Sequence, residues 1–220
     1  MKRVAFAVLA LAVCAARAGA QEPQPSFDCE KASNAAEREI CRFEPLMMMD
    51  RALARIYPAA RKSGGKAVSA AQRKWLKKRN ACGGNRDCLM QAHVRRLVAL
   101  GRAAGDAGGV SGEYHYRLKD NGWSSAGNLW LMREADGGLT GALETVTGRT
   151  AHTCEIEFER AVWQNGLWRW KFPDPTGDLE EACIVTITPL KGGVKVQGTP
   201  GCQDFCGASG FFSTVYRKVR

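Results

Sequence analysis

Histidine is scarce in this 220-residue chain: His93, His115 and His152 are the only three, and they lie far apart. There is no C-x2-C pair, no H-E-x-x-H and no G-x-S-x-G. These gaps remove the usual zinc signatures, the dithiol redox motif and the serine-hydrolase elbow. After the first twenty residues no apolar run approaches the roughly 20 residues that cross a bilayer. No cofactor and no catalysis are therefore expected. Nine cysteines are present, however, which is many for a chain with so little metal-binding character.

The opening segment gives those cysteines a compartment. Lys2 and Arg3 precede an apolar run from Val4 to Ala16, and Ala18-Gly19-Ala20 is a small-x-small cleavage signal. This pattern predicts a secretory signal peptide over residues 1–20, with mature protein from Gln21. Leu11-Ala12-Val13-Cys14 is a competing lipoprotein-type box, but Val13 is larger than that box prefers. Either way Cys14 is set aside and eight cysteines remain, spaced as staples for an oxidising compartment, periplasmic or secreted. Nucleic acid is not an expected partner of an exported chain, and no transmembrane span is expected.

Charge and composition divide the rest. Residues 21–105 hold 17 Lys and Arg against 8 Asp and Glu, a net +9, whereas residues 106–220 hold 12 against 14, a net −2. The change coincides with a Gly/Ala-rich stretch, GRAAGDAGGVSG, at 101–112. Two domains are predicted, 21–104 and 112–220, joined by a linker over 105–111. The fold class is α+β: a disulfide-stapled antiparallel helical bundle followed by an antiparallel β-barrel or sandwich.

In the first domain Asn34 and Glu37 form a capping-box pattern ahead of a short helix ending at Ile40 and Cys41. Glu44-Pro45 starts a second helix, with Leu46, Met49, Leu53, Ile56 and Tyr57 as its apolar stripe. Pro58 ends or kinks it, and Lys62-Ser63-Gly64-Gly65 makes a turn. Gln72, Trp75, Arg79 and Cys82 then share one face of a third helix. A fourth runs from about Arg86 toward Leu100, with Cys88, Leu89, Ala92, Arg96 and Leu100 inward. If the second and third helices form a hairpin, Cys41 lies beside Cys82, leaving Cys29 for Cys88. Gln72, Trp75 and Arg79 are read as holding helices together, with Asp50 or Glu37 as polar partners, and His93 as a packed histidine. Arg73, Lys74, Lys77, Lys78 and Arg79 form a basic run able to attract phosphates.

The ordered set Asp28-Cys29; Glu37, Ile40, Cys41; Leu46, Asp50, Leu53, Tyr57; Gln72, Trp75, Arg79, Cys82; Cys88, Arg96 resembles the N-terminal domain of LprI-type lysozyme inhibitors, a family of exported bacterial proteins. The resemblance covers residues 27–100. His93 stands where that family often has an aromatic residue such as Tyr, and Glu44 where Asp is more usual. The resemblance implies inhibition of a lysozyme-type muramidase and carries no specific inhibitory residue.

From Ser111 the hydrophobic period changes from 3.6 to 2. Cys154, Ile156 and Phe158 alternate with Glu155, Glu157 and Glu159, Asn165-Gly166 marks a hairpin, and about eight short strands follow one another to Phe211–Val219. The first and last are expected to pair, a pattern loosely similar to lipocalin-like barrels, whose interior either holds a ligand or is filled by side chains. Cys154 with Cys183, and Cys202 with Cys206, is one pairing; a crossing of either of the first two to either of the last two is the other. Glu155, Glu157 and Glu159 read as a solvated strand face. They are also the candidate contact for a basic muramidase, since the +9 helical domain would repel one. The second expected function is binding of an anionic cell-wall polymer by Arg73, Lys74, Lys77 and Lys78.

Overall fold

A computed structural model describes residues 24–106, 109–120, 122–148, 151–173 and 181–219. The expected leader and Cys14 lie outside these residues. The helical part opens with a 3₁₀ turn, Cys29–Lys31, then α1, Ala35–Ile40; α2, Glu44–Ala81; and α3, Arg86–Ala103. Asn34 Oδ1 caps α1 by accepting from Glu37 N at 3.0 Å, while Glu37 Oε2 accepts from Ser33 N and Oγ. That is the expected capping box with its return bond displaced by one residue.

α2 continues through Pro58 but breaks at Gly65, whose φ of 52° and ψ of −130° are not helical. A side chain is strained in that conformation and glycine is not. The chain folds back there, so residues equally far from Gly65 approach one another: Asp50 and Arg79 both lie near His93, and Tyr57 and Gln72 both lie near Arg96. The predicted hairpin is therefore present. Ile40, Leu46, Met49, Leu53, Ile56, Leu89, Leu97 and Leu100 fill its core.

The second part is a closed antiparallel barrel in which each strand pairs with the next and the last with the first. Its strands are β1 Gly112–Asp120, β2 Trp123–Arg133, β3 Leu139–Thr147, β4 His152–Gln164, β5 Leu167–Lys171, β6 Ile184–Leu190, β7 Gly193–Gly198 and β8 Val215–Lys218. Closure rests on Tyr114 opposite Lys218 and His115 opposite Arg217. The β4–β5 turn places Asn165 and Gly166 at φ 50° and 82°, as a two-residue hairpin of this sequence requires. Side chains fill the interior, including Tyr116 edge-on to Tyr216, Phe158 against Trp170, and Ile156, Val185, Ile187 and Val196.

The disulfides correct the sequence reading. They join Cys29 to Cys41, Cys82 to Cys88, Cys154 to Cys206 and Cys183 to Cys202. In the helices, the first turn folds Cys29 back onto the end of α1, and the Gly83-Gly84 turn sets Cys82 beside the first turn of α3. The end of the second arm is tied to α1 by the Glu37–Arg79 ion pair at 3.3 Å, not by sulfur. In the barrel, β5 separates β4 from β6, so two inter-strand spacings, roughly 10 Å, already lie between these strands, beyond disulfide reach. A 3₁₀ segment, Pro200–Phe205, crosses the barrel end and carries Cys202 to Cys183 and Cys206 to Cys154, at Cα separations of 4.3 and 4.1 Å. The crossed alternative is thus the one formed. Four disulfides indicate an extracellular or periplasmic protein. Among the described residues no helix is long and apolar enough to cross a membrane.

The described part of the predicted linker is packed. Val110 and Ser111 are buried, Ser111 N donates to Asp106 Oδ2 at 2.6 Å, and Tyr114 OH donates to Val110 O. The helices lie directly on the outside of the barrel. Leu129, Trp130, Leu131 and Met132 are all buried: Leu129 and Leu131 face the barrel interior, Trp130 and Met132 the helical core. At Gly101 a Cβ would lie 2.6 Å from Ser111 Oγ, so glycine permits α3 to approach this closely.

Candidate functional site

The sequence-predicted residues of the helical part form a scaffold. Gln72 Oε1 accepts from Arg96 Nε at 2.7 Å, Trp75 Nε1 donates to Ala92 O at 2.9 Å, and Arg79 pairs with Glu37. Asp50 accepts from Ser26 N and Oγ, fastening the start of the described chain to α2. Tyr57 is half-buried beside Arg96. His93 is fully buried, stacks edge-on against Trp75 and contacts Leu89 O through Nδ1 at 2.7 Å. Burial holds its pKa below the ordinary histidine value, so it is neutral at pH 7. Arg73, Lys74, Lys77 and Lys78 are exposed, whereas Arg79 is buried and does not belong with them.

The three glutamates of β4 do not form a uniformly solvated face, because the helical layer covers part of it. Glu159 accepts from Arg51 and from Arg55 Nη1, the latter at 2.9 Å. Arg55 also makes a two-pronged contact with Glu134, at 2.9 and 2.8 Å, and Thr140 Oγ1 donates to Glu134 Oε1 at 2.6 Å. Burial pulls the Arg55 pKa down, but the Glu134 and Glu159 carboxylates outweigh it and the guanidinium pKa ends raised. Glu159 is thus part of a clamp between α2 and the barrel and is removed from the candidate contact face.

Glu155 and Glu157, further toward the start of β4, line an open cleft of about 1320 Å³ between the helices and the outer barrel face. Strand register explains its floor. His115, Asn128, Glu144 and Glu155 are successive cross-strand neighbours on β1 to β4, and Glu113, Trp130, Ala142 and Glu157 form the adjacent row. Phe43, Pro45, Arg86, Met90, Val94 and Arg95 make the helical wall. Arg86 pairs with Glu39 and lies 4.1 Å above the Phe43 ring. Glu144, Glu155 and Glu157 have no ion-pair partner among the described residues.

Glu157 is half-buried, and its pKa is pushed up to about 7. Desolvation is the main cause, with the charges of Glu44, Glu155 and Glu159 adding to it and Arg51 opposing it. Direct cross-strand pairing of Glu144 with Glu155 sets the Cβ atoms of two like-charged side chains about 5 Å apart, an unfavourable arrangement that an incoming cation would relieve. Among the described residues no group of three or more His, Cys, Asp or Glu is arranged to hold a metal ion. The cleft can therefore offer a carboxylate floor to cationic side chains, flanked by apolar contacts from Phe43, Met90 and Val94.

Sequence reasoning missed His115, Asn128, Glu144 and the Arg55–Glu134 pair. One signal was available: Leu129-Trp130-Leu131-Met132 is an unbroken apolar run, which marks a strand buried on both faces and hence a covered outer surface. The fold and cleft define a disulfide-bridged α+β protein, a closed eight-stranded meander barrel carrying a helical layer on its outside. Comparison with protein-family models, curated proteins and solved structures returns no match for this chain.

Proposed function

We propose that this chain is an exported, non-catalytic binding protein that occludes a lysozyme-type muramidase, with the cleft between the helices and the barrel as its contact face. The observation that carries the reading is the row of Glu144 and Glu155, with Glu157 beside it, lining an open cleft without ion-pair partners among the described residues. Lys or Arg side chains of a basic muramidase complement that floor, while like-charged surfaces are rejected. The motif set from Asp28 to Arg96 supports the same reading through its resemblance to LprI-type inhibitors.

Ionised Glu157 is the form that receives a cation. Below pH 7 it holds a proton, which binding must release, so affinity falls with decreasing pH. The test is a turbidity assay of basic lysozyme-type muramidases with the mature protein added, alongside Glu144→Gln/Glu155→Gln/Glu157→Gln. Inhibition by the wild type at micromolar concentration, weakened at least tenfold in the triple variant and at pH 5.5, is expected. Absence of inhibition at micromolar excess refutes the proposal.

A further inference from the structure

Between Asp50 and Asp87 the chain contains eleven Lys and Arg and no Asp or Glu. Four of the eleven reach carboxylates outside this stretch: Arg51 to Glu159, Arg55 to Glu134 and Glu159, Arg79 to Glu37, and Arg86 to Glu39. The other seven are exposed and have no ion-pair partner among the described residues. Arg61 and Lys62 lie just before the Gly65 fold-back and Lys66 just after it. Arg73, Lys74, Lys77 and Lys78 occupy a sector of about 140° on the second arm, opposite the inward Gln72, Trp75 and Arg79. The strip extends about 20 Å from Gly65 to Lys78 at the helical rise. An ordinary solvated helix face mixes signs; this one does not, and its self-repulsion is compensated only from outside.

We propose that the α2 hairpin is a docking surface for a linear, phosphate-bearing polyanion, which lies along the cationic side of the second arm and around the Gly65 tip. One observation favours a polymer over a bilayer. The exposed non-cationic residues around the tip are Ala, Ser and Gly, and Leu76, 37% exposed, is the only large apolar side chain exposed on the second arm. An interfacial helix inserts Trp, Phe or Leu. This surface is separate from the carboxylate cleft and does not depend on the muramidase reading.

Fluorescence anisotropy of labelled medium-chain inorganic polyphosphate, titrated with the mature protein over a NaCl series, tests it. The affinity is expected to fall steeply and log-linearly with salt, as counterion release requires. Arg73→Gln/Lys74→Gln/Lys77→Gln/Lys78→Gln should bind at least tenfold more weakly with a flatter salt slope, and Glu155→Gln/Glu157→Gln should bind as the wild type does. Glutamine keeps helix propensity. Should the quadruple variant lose helical circular dichroism, Arg61→Gln/Lys62→Gln/Lys66→Gln gives the same test at the tip. Salt-insensitive binding, wild-type affinity in both variants, or stronger binding to phosphatidylglycerol vesicles than to polyphosphate at equal phosphate would overturn the proposal.

Discussion

The two ends of the interface between helices and barrel are built from the same residue types and behave in opposite ways. At one end Glu134 and Glu159 meet Arg51 and Arg55, and every charge has a partner. At the other, Glu144, Glu155 and Glu157 line a cleft without ion-pair partners among the described residues. Glu157 and Glu159 are two residues apart on one strand face. What separates their roles is contact with a helical guanidinium: Arg51 and Arg55 bond Glu159 directly, whereas Arg51 acts on Glu157 only through space and leaves it desolvated, crowded by like charge and available. The paired end supplies cohesion, and the unpaired end sacrifices some stability for a receptive surface.

The sharpest way to break the comparison is Glu134→Ala. With its side chain 4% exposed, Glu134 is the best-buried carboxylate of the clamp, and removing it takes the two-pronged contact from Arg55, which keeps Glu159, and the acceptor from Thr140. A loss of about 3 kcal/mol in urea unfolding is expected from the lost charge-assisted hydrogen bonds. The open end should respond with the opposite sign. Because the folded protein raises the Glu157 pKa from 4.5 to about 7, its carboxyl favours folding most fully at low pH, and that contribution is lost as pH rises through 7. Glu157→Gln should therefore be more stable than the wild type by about 2 kcal/mol at pH 8 and nearly equal to it at pH 4. Unfolding at both pH values checks this, and destabilisation at pH 8 would contradict it. Glu155→Gln relieves the pair with Glu144 and should stabilise by about 0.5 kcal/mol at pH 8, an effect that added salt reduces. Arg160→Ala serves as the control: the Arg160–Asp136 pair is exposed on both sides, so thermal unfolding should shift by less than about 0.5 kcal/mol.

Local chemistry was legible wherever a motif names its own conformation. The Asn34–Glu37 cap, the Asn165-Gly166 turn and the closing pair of strands are all present. So is the inward face of Gln72, Trp75 and Arg79, because helical spacing alone decides which side chains share a face. The candidate site was only half legible. Glu155 and Glu157 were identified on their strand, but Glu144, Asn128 and His115 join them through cross-strand register, which no single strand encodes. Glu159 looked identical to its neighbours in alternation, and only the arginines of α2 distinguish it.

The amino-acid sequence by itself determined an α+β chain: a helical first half with a basic fold-back arm, a β-meander second half, and eight cysteines suited to bridging. Periodicity, capping and turn residues act over a few positions, so they survive without knowledge of the rest. Tertiary structure alone decided which cysteines bond, that the helices lie against the barrel instead of swinging on a linker, and which carboxylates stay unpaired. The packing of helices on barrel and the pairing of carboxylates depend on distances between segments far apart in the chain, set when Trp130, Met132 and Gly101 let α3 settle onto β2; the cysteine pairing depends on the path of the Gly83-Gly84 turn and of the Pro200–Phe205 segment, which cysteine spacing does not fix.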